Sequence, residues 1–560
     1  MKMNFGLFAT SLLLNFINCE NFLVTLDCGT VNGTKTTTDY GDVLEFIQMP
    51  YGIPPVGDRR WTHSELLDPI VSNGPCWDEN VYDASTLRTT PIKCAQYSYY
   101  TCVGQEDCLY LSVRTPKLSG NYPVLVWLHG GSLMLGWSDE EGYAPTAEFT
   151  ADLNVVTVNI NYRLDIMGFF STPEIWDDTE NEGNYGNFGI GDAITALKWV
   201  KANIAKFGGN PESITLLGES SGANLVLGLL IADQADGLFH RAIALSASPK
   251  WKSDYEDAYK LRSSFTKDVG CTQVTISERR ACLKSMDVET LCSKTDHNRG
   301  YGFYDFPYGD GLKGESMDYT IIEPTLIPYP PQDLKHESKT RNKRQKVKLI
   351  LSNTAQENGY NALQYSLNQV YNWDQADELL TERIQNFTQG AQRKKLKSDF
   401  QKDIEELYNF GEDSSEWWPQ IFWDTLTTDV RATCLLSDLA SDLNKNKLYD
   451  VYRMYIKQRP NEITCGLNYD SIHGWDTEAL FGYGWLKLEN SSDRHQRKFE
   501  LNLRDLVHQF SYDKEIEGWT TKNTLVFEND DFPLNPINFD KNRPQKKECN
   551  FWKRKKMLDY

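Results

Sequence analysis

The sequence contains no long apolar run after its first 20 residues. Elsewhere in the 560-residue chain, no hydrophobic stretch approaches the ~20 residues that a transmembrane helix needs. The segment 553–560 is basic and polar, and it shows neither a hydrophobic tail for a lipid anchor nor a KDEL-like retrieval signal. We therefore expect no stable membrane insertion.

The sequence also lacks linkers, low-complexity tracts and internal repeats. Its length alone would suggest about two to four domains, but no Pro/Gly/Ser-rich segment divides it. Large α/β folds can hold this many residues in one unit. We therefore expect a single domain over residues 20–560.

Positive charge is scarce relative to negative charge. The chain has 58 Lys and Arg against 78 Asp and Glu, which gives a formal net charge of −20 at pH 7. Such a charge argues against nucleic acid and against anionic membrane surfaces as partners. A basic run at 336–348 is the local exception, and its composition predicts a solvated loop.

The first 19 residues have the pattern of a secretory signal peptide. Lys2 precedes a short apolar core, and small residues precede Glu20, so we predict cleavage after residue 19 and secretion of the rest. Cleavage would remove Cys19 and leave eleven of the twelve cysteines, which predicts disulfides and at least one unpaired thiol. Sequons predict glycosylation of the exported chain at Asn32, Asn386 and Asn490.

Short apolar segments alternate with amphipathic ones along the chain. The strand candidates are 124–128, 155–160, 214–217, 242–245, 347–351 and 449–455. The clearest helix is 192–207, with Asp192 at its start and two glycines after its end. Continuous apolar strands separated by helices predict an α/β fold, with a mostly parallel central sheet and helices on both faces.

The segment around Ser220 has the pattern of a nucleophile elbow. Residues 213–217 predict a short buried strand and residues 223–235 are good helix formers, so G-E-S-S-G at 218–222 lies at a strand–turn–helix junction. In a G-x-S-x-G elbow the glycines leave room for a tight turn, and the serine hydroxyl projects above the sheet edge. We therefore predict that Ser220 is a nucleophile.

A serine nucleophile needs a general base and an acid that orients the base, in the chain order Ser, acid, His. Only eight histidines are present, which permits elimination. Two precede the serine, two follow it too closely to leave room for an acid-bearing strand, one lies in the basic run, one in a polar surface segment and one on the polar face of a helix. In that order these are His63, His129, His240, His297, His336, His495 and His508. His473, in a short loop beside Gly474, is the predicted base.

The acid is predicted just after the strand 347–351. The turn that follows, 352–359, contains Glu357 as its only carboxylate. Functional residues in parallel sheets project from the carboxyl ends of strands, so we predict that Glu357 orients His473.

A glycine turn after the strand 124–128 supplies candidate oxyanion donors. His129-Gly130-Gly131-Ser132 is similar to the HGGG-type loop that lies upstream of an elbow. Developing negative charge on a substrate oxygen needs preorganised donors. We predict that these are the backbone N–H groups of Gly131, Ser132 and Ser221.

Together these and other motifs resemble the type B carboxylesterase/cholinesterase family, from about residue 51 to the carboxyl end. The motifs are Y-G-I-P-P-V-G at 51–57 with Arg60, E-D-C-L-Y-L at 106–111, N-Y-R-L at 161–164, F-G-G-N-P at 207–211, the elbow, His473-Gly474 with Glu478 and F-G at 481–482, and C-N-F-W at 549–552.

The resemblance implies an α/β-hydrolase fold and a serine carboxylesterase with Ser220, Glu357 and His473 as its triad. Its substrate would be a small-molecule ester, and no metal or organic cofactor is implied. Glu219 and Ser246 occupy positions that support the triad in the family.

The resemblance also implies three disulfides, which are Cys94–Cys108, Cys271–Cys282 and Cys434–Cys549. It assigns no pairing to five further cysteines, which are Cys28, Cys76, Cys102, Cys292 and Cys465. The oligomeric state is likewise open.

The chain departs from the family pattern at four site positions. Ser132 stands where a third glycine is usual, and Leu133 where an aromatic residue is usual. Ser221 replaces the usual alanine after the nucleophile, which preserves the backbone N–H. Asn358 follows Glu357 where the family usually has glycine.

Two alternative functions remain open, a cholinesterase and a non-catalytic cholinesterase-like adhesion protein. Cholinesterases hold the quaternary ammonium over an aromatic face, chiefly a tryptophan in the loop closed by the first disulfide. Here that loop, 95–107, contains no tryptophan, which favours uncharged short-acyl esters. Tyr301 and Phe303 fall where relatives place acyl-pocket aromatics, and they predict a restricted acyl side. The filled triad positions argue against the adhesion protein.

Overall fold

A 13-stranded sheet organises the chain. The computed structural model describes residues 22–70, 76–77, 81–85, 90–98, 101–176, 183–249, 251, 254–261, 263–294, 320–334, 345–357, 372–388, 397–409, 418–445, 449–458, 471–481, 494–527, 535–538 and 545–555. The predicted signal peptide, Tyr301, Phe303, Asn490 and Cys465 lie outside these residues.

The strands have the following bounds: β1 Phe22–Leu26, β2 Gly29–Thr38, β3 Gly41–Pro50, β4 Val81–Asp83, β5 Gln96–Ser98, β6 Thr101–Val103, β7 Tyr110–Thr115, β8 Tyr122–Leu128, β9 Val156–Ile160, β10 Gly209–Glu219, β11 Arg241–Leu245, β12 Val347–Thr354, β13 Tyr449–Ile456, β14 Asn523–Phe527 and β15 Asn535–Asn538. The helices are Ala147–Leu153, Asp165–Phe169, Pro173–Trp176, Phe188–Asn203, Ser221–Ile231, Tyr255–Leu261, Phe265–Asp268, Ile276–Ser285, Val288–Ser293, Trp373–Thr388, Lys397–Leu407, Trp418–Thr428, Cys434–Lys445, Trp475–Phe481, Arg494–Ser511 and Lys546–Arg554.

The middle of the sheet is parallel and its edges are antiparallel. The strand order is β1-β2-β3-β7-β9-β8-β10-β11-β12-β13-β14-β15, with β4 beside β2. In this spatial order, neighbouring strands from β9 to β14 pair in parallel. Neighbouring strands from β1 to β9, and the pair β14 and β15, are antiparallel. The short strand β4 pairs in parallel with β2. The hairpin β5-β6 stands apart. The predicted mostly parallel sheet is therefore confirmed, and antiparallel strands extend it on both sides.

Alternating side chains of the central strands pack into two separate apolar clusters. In β8, Val124 and Val126 face one cluster, while Leu125 and Trp127 face the other. The first cluster includes residues of the helices Phe188–Asn203 and Ser221–Ile231, and the second those of Trp475–Phe481 and Arg494–Ser511. Because both faces are covered, most residues of the central strands are buried, and they include apolar runs such as 124–128 in β8 and 242–245 in β11.

The helix predicted at 192–207 begins four residues earlier than expected. It spans Phe188–Asn203 and continues as a 3-10 turn to Phe207. Asp192 does not cap it but is fully buried, and its carboxylate pairs with Arg163 at 2.7 and 2.8 Å. Gly208 ends the turn at φ +81°, a conformation that favours glycine, as the sequence predicted.

Five disulfides join described cysteines. The pairs implied by the resemblance are present, namely Cys94–Cys108, Cys271–Cys282 and Cys434–Cys549. Two further pairs, which the sequence left open, are Cys28–Cys76 and Cys102–Cys292.

None of the helices within the described ranges is both long enough and apolar enough to cross a bilayer.

Candidate active site

Ser220 lies at a sharp turn between β10 and the helix Ser221–Ile231. Its backbone adopts φ +56° and ψ −123°, a strained conformation for a residue with a Cβ. Its N–H donates to Leu245 O at 2.8 Å, which ties the turn to the neighbouring strand. A Cβ at Gly218 would lie 2.4 Å from Gly222 O, and one at Gly222 only 2.1 Å from Leu128 O. Both glycines are therefore required by close packing.

Three predicted residues from distant parts of the chain form one hydrogen-bonded line. His473 Nε2 lies 2.8 Å from Ser220 Oγ, and His473 Nδ1 lies 2.5 Å from Glu357 Oε2. Glu357 follows β12 and His473 precedes the helix Trp475–Phe481. The two loops are joined because Gln356 N–H donates to Ser471 O at 2.9 Å.

The Glu357 carboxylate is itself held in place. Its Oε1 accepts the Thr354 N–H at 2.8 Å, while its backbone N–H donates to Thr428 Oγ1 at 2.9 Å. The side chain is fully buried. A carboxylate fixed in this way can orient the imidazole and stabilise it when it carries a proton.

Further carboxyl groups surround His473. Glu219 Oε1 lies 3.2 Å from His473 Nε2, and burial raises the pKa of the Glu219 carboxyl to about 8. Burial also raises the pKa of Asp476, to about 7. For the imidazole, burial acts to lower the pKa, but the carboxylates of Glu219 and Glu357 outweigh it and raise the pKa to about 9.

The loop that follows β8 passes beside the nucleophile. Gly131, Ser132 and Leu133 all have positive φ, at +102°, +60° and +59°. A Cβ at Gly131 would lie 2.0 Å from Leu135 O, so this position requires glycine. We call 129–136 the oxyanion loop.

The predicted oxyanion donors have open N–H groups. Within the described part of the chain, the N–H groups of Gly131, Ser132 and Ser221 donate to no other protein group. Ser221 is the first residue of its helix, where a backbone N–H has no partner inside the helix. These three N–H groups therefore stay the predicted oxyanion donors.

Two residues to which the sequence analysis gave no role hold the oxyanion loop. Gln96 accepts the Gly136 N–H at 2.9 Å and donates to Gly136 O at 3.0 Å. Tyr162 donates to His129 O at 2.5 Å and stacks on the His129 ring. Tyr162 belongs to the N-Y-R-L motif, whereas Gln96 had no sequence signal because its partner is 40 residues away.

Three further predicted site residues lie among the described residues. Ser246 follows β11, is buried, and donates its N–H to Ser352 O at 2.9 Å.

Two of the predicted glycosylation sites lie in regular secondary structure. Asn32 lies within β2 with its side-chain oxygen buried, and Asn386 lies in the helix Trp373–Thr388. No group of three or more His, Cys, Asp or Glu among the described residues is arranged to hold a metal ion.

Comparison with known proteins shows the family to which the chain belongs. A sequence profile described as "Carboxylesterase family" matches residues 20–552. The chain belongs to the carboxylesterase family. The resemblance drawn from the motifs is therefore confirmed.

Curated relatives of this family member match about half of its chain. Liver carboxylesterase 1 of Oryctolagus cuniculus is 33% identical over 316 residues, which are 53% of this chain and 52% of the relative. Cholinesterase of Mus musculus is 33% identical over 279 residues, or 49% and 45%. Neuroligin-2 of Mus musculus is 30% identical over 327 residues, or 50% and 38%. The chain thus spans about half the length of these relatives or less.

A solved structure titled PNB esterase matches nearly the whole fold of this family member. Its TM-score is 0.68 at 23% sequence identity, and the match covers 96% of this chain and 99% of that one. At this identity the likeness concerns the fold alone. The predicted α/β-hydrolase fold is confirmed.

Proposed function

We propose that this member of the carboxylesterase family is a secreted serine carboxylesterase that hydrolyses small-molecule esters through an acyl-enzyme. The observation that carries the proposal is the line Ser220–His473–Glu357, with distances of 2.8 and 2.5 Å. A buried carboxylate, an imidazole and a strained serine in this order supply a nucleophile, its base and the group that orients the base.

In the acylation step, Ser220 Oγ attacks the ester carbonyl carbon while His473 Nε2 takes the hydroxyl proton. The carbonyl oxygen becomes an oxyanion, and the N–H groups of Gly131, Ser132 and Ser221 stabilise it. The C–O bond to the alcohol then breaks, and His473 returns the proton to the leaving oxygen. Glu357 stabilises the imidazolium between these two transfers.

In the deacylation step, His473 removes a proton from water, and the resulting hydroxide attacks the acyl carbon. The second tetrahedral species uses the same donors. Its collapse breaks the bond to Ser220 Oγ, which regains a proton from His473, and releases the carboxylic acid. Each step uses only protein groups, ester and water, so the proposed reaction needs no metal or organic cofactor.

Two other functions are compatible with family membership. Cholinesterase of Mus musculus is among the relatives, so choline esters are the alternative substrate class. Neuroligin-2 is also a relative, so the second alternative is a non-catalytic function as an adhesion protein. Measured turnover decides between hydrolysis and a non-catalytic function, and a comparison of substrates decides between the ester classes.

The test is turnover of p-nitrophenyl acetate by the purified full chain and by two variants. We expect Ser220→Ala and His473→Ala each to lower kcat by at least about 10⁴-fold, because the triad acts as a unit. Ser437→Ala, in the helix Cys434–Lys445, serves as the matched control with a buried hydroxyl removed elsewhere. Turnover retained by Ser220→Ala would contradict the proposal.

A further inference from the structure

The hydroxyl of Ser221, the residue after the proposed nucleophile, contacts the oxyanion loop. Its Oγ accepts the Leu133 N–H at 3.0 Å, although the two residues are 88 positions apart in the sequence. Tyr162 holds the start of the same loop, because its hydroxyl donates to His129 O. Ser221 is buried, with 1% of its surface exposed. The Ser221 hydroxyl therefore links the start of the helix Ser221–Ile231 to the oxyanion loop at Leu133.

The segment that this hydroxyl holds is conformationally demanding. Ser132 and Leu133 follow one another at φ +60° and +59°, a region that residues with a Cβ rarely adopt. Two such residues in succession persist only where surrounding contacts impose them. Leu133 is buried at 2% exposure, so its N–H would lose its hydrogen bond if the Ser221 hydroxyl were absent.

The contacts on either side cannot replace this one. The N–H groups of Met134 and Leu135 both donate to Gly131 O at 3.0 Å, and these contacts form the turn itself. Gln96 holds Gly136, at the far end of the loop. Leu133 O accepts the Asp165 N–H at 2.6 Å, on the side of Leu133 away from the proposed donors. Ser221 holds the Leu133 N–H, which belongs to the peptide group next to the one that carries the Ser132 N–H.

We propose that the Ser221 hydroxyl is a positioning group for the oxyanion hole. By holding the Leu133 N–H, it keeps the two preceding peptide groups turned so that their N–H groups point at the substrate oxygen. This role is distinct from that of the Ser221 backbone N–H, which is itself a proposed donor. The inference rests on the proposed function.

The variant Ser221→Ala separates the two roles, because it removes the hydroxyl and keeps the N–H. We expect kcat for p-nitrophenyl acetate to fall about 10- to 100-fold, since small displacements of preorganised groups carry such costs. KM should stay within about twofold, because a carbonyl in the ground state uses the donors less. Affinity for a trifluoromethyl ketone, whose adduct carries an oxyanion, should fall by the same factor as kcat.

Two more variants make the result specific. Ser221→Cys has a similar size and a weaker acceptor, so its kcat should lie between those of the parent and Ser221→Ala. It also provides the test should Ser221→Ala fail to fold. Ser437→Ala is the control, and its kcat should equal that of the parent. All rates are divided by the active-site concentration from organophosphate titration, and folding is checked by the melting temperature.

The possible outcomes are distinct. If Ser221→Ala folds and keeps kcat within about twofold while Ser220→Ala is inactive, the inference is wrong and the proposed function stands. A rise in KM at unchanged kcat likewise overturns the inference, because it indicates a ground-state contact. If the parent hydrolyses no ester, the proposed function and the inference both fail.

Discussion

His473 lies among carboxyl groups, and this decides at which pH it can act as a base. Glu357 and Glu219 approach its two ring nitrogens at 2.5 and 3.2 Å. Negative charge at these distances favours the protonated imidazole. Against the lowering effect of burial, the two carboxylates hold the pKa above the ordinary 6.5. Because only the neutral imidazole accepts a proton from Ser220, activity should fall as the pH drops through this raised pKa.

The variant Glu219→Gln tests this electrostatic account. It removes a carboxylate from beside Nε2, so the imidazolium loses stabilisation and its pKa falls. We expect the acidic limb of the kcat/KM–pH profile to move down by about one pH unit, with activity retained at lower pH than in the parent. An acidic limb that stays in place or moves to higher pH would contradict the account.

The elements that build the site were partly predictable from sequence. The central strands β8 to β13 contain apolar segments because both faces of the sheet are covered, and these segments marked the strands in the sequence. β2 and β3 were not among the candidates, since β2 is rich in threonine, only partly buried and at the antiparallel edge. Asp192 resembled a helix cap, but it is buried against Arg163, a contact over 29 positions that no local pattern reveals.

At the site, too, residues in short sequence motifs could be predicted, whereas contacts between residues far apart in the sequence could not. Short segments at strand ends indicated Ser220 and Glu357, and elimination among the eight histidines indicated His473. The contact of Ser221 with Leu133 spans 88 positions, and that of Gln96 with Gly136 spans 40. The first contact follows from the pairing of β8 with β10 in the sheet, whereas the second depends on how the separate hairpin β5-β6 packs against the loop after β8. They could therefore be found only in the structure.

Disulfides at the element scale should differ in their effect on stability. Cys434–Cys549 closes a separation of 115 residues and fixes the helix Lys546–Arg554 to the helix Cys434–Lys445, whereas Cys271–Cys282 closes only 11. Loop entropy predicts about 4.7 kcal/mol for a ~100-residue loop and about 3 kcal/mol for a ~15-residue loop. Cys434→Ala/Cys549→Ala should therefore lower the free energy of unfolding more than Cys271→Ala/Cys282→Ala.

Urea unfolding of the two paired variants measures this difference, and the paired design leaves no new thiol. Peptide mapping without reduction provides the control, since it should recover all five described pairs from the parent protein. An equal loss in both variants, or a greater loss for the shorter loop, would contradict the entropic explanation.

At the scale of the whole molecule, the question is which ester enters the site. The net charge of −20 is compatible with attraction of cations, but charge at long range is screened by salt and does not select a leaving group. Selection of a quaternary ammonium needs an aromatic face at short range. The loop between Cys94 and Cys108 contains tyrosines but no tryptophan. We therefore expect uncharged esters to be preferred.

The comparison of acetylcholine with an uncharged acetate ester of similar size and leaving-group reactivity tests this preference. A desolvated cation–π contact contributes about 2 kcal/mol, so its absence should lower the preference for choline esters by about thirtyfold. We expect the higher kcat/KM for the uncharged ester. A tenfold or greater preference for acetylcholine would support the cholinesterase alternative instead.

The measurement that tests the central claim most directly is covalent labelling of the purified protein with diisopropyl fluorophosphate. An activated serine forms an Oγ–P bond and releases fluoride, so one adduct per chain is expected, located on Ser220 by peptide mass spectrometry. Ester hydrolysis should stop in proportion to labelling, and Ser220→Ala should neither be labelled nor turn over. Stoichiometric labelling of another residue, or full hydrolysis by Ser220→Ala, would contradict the account.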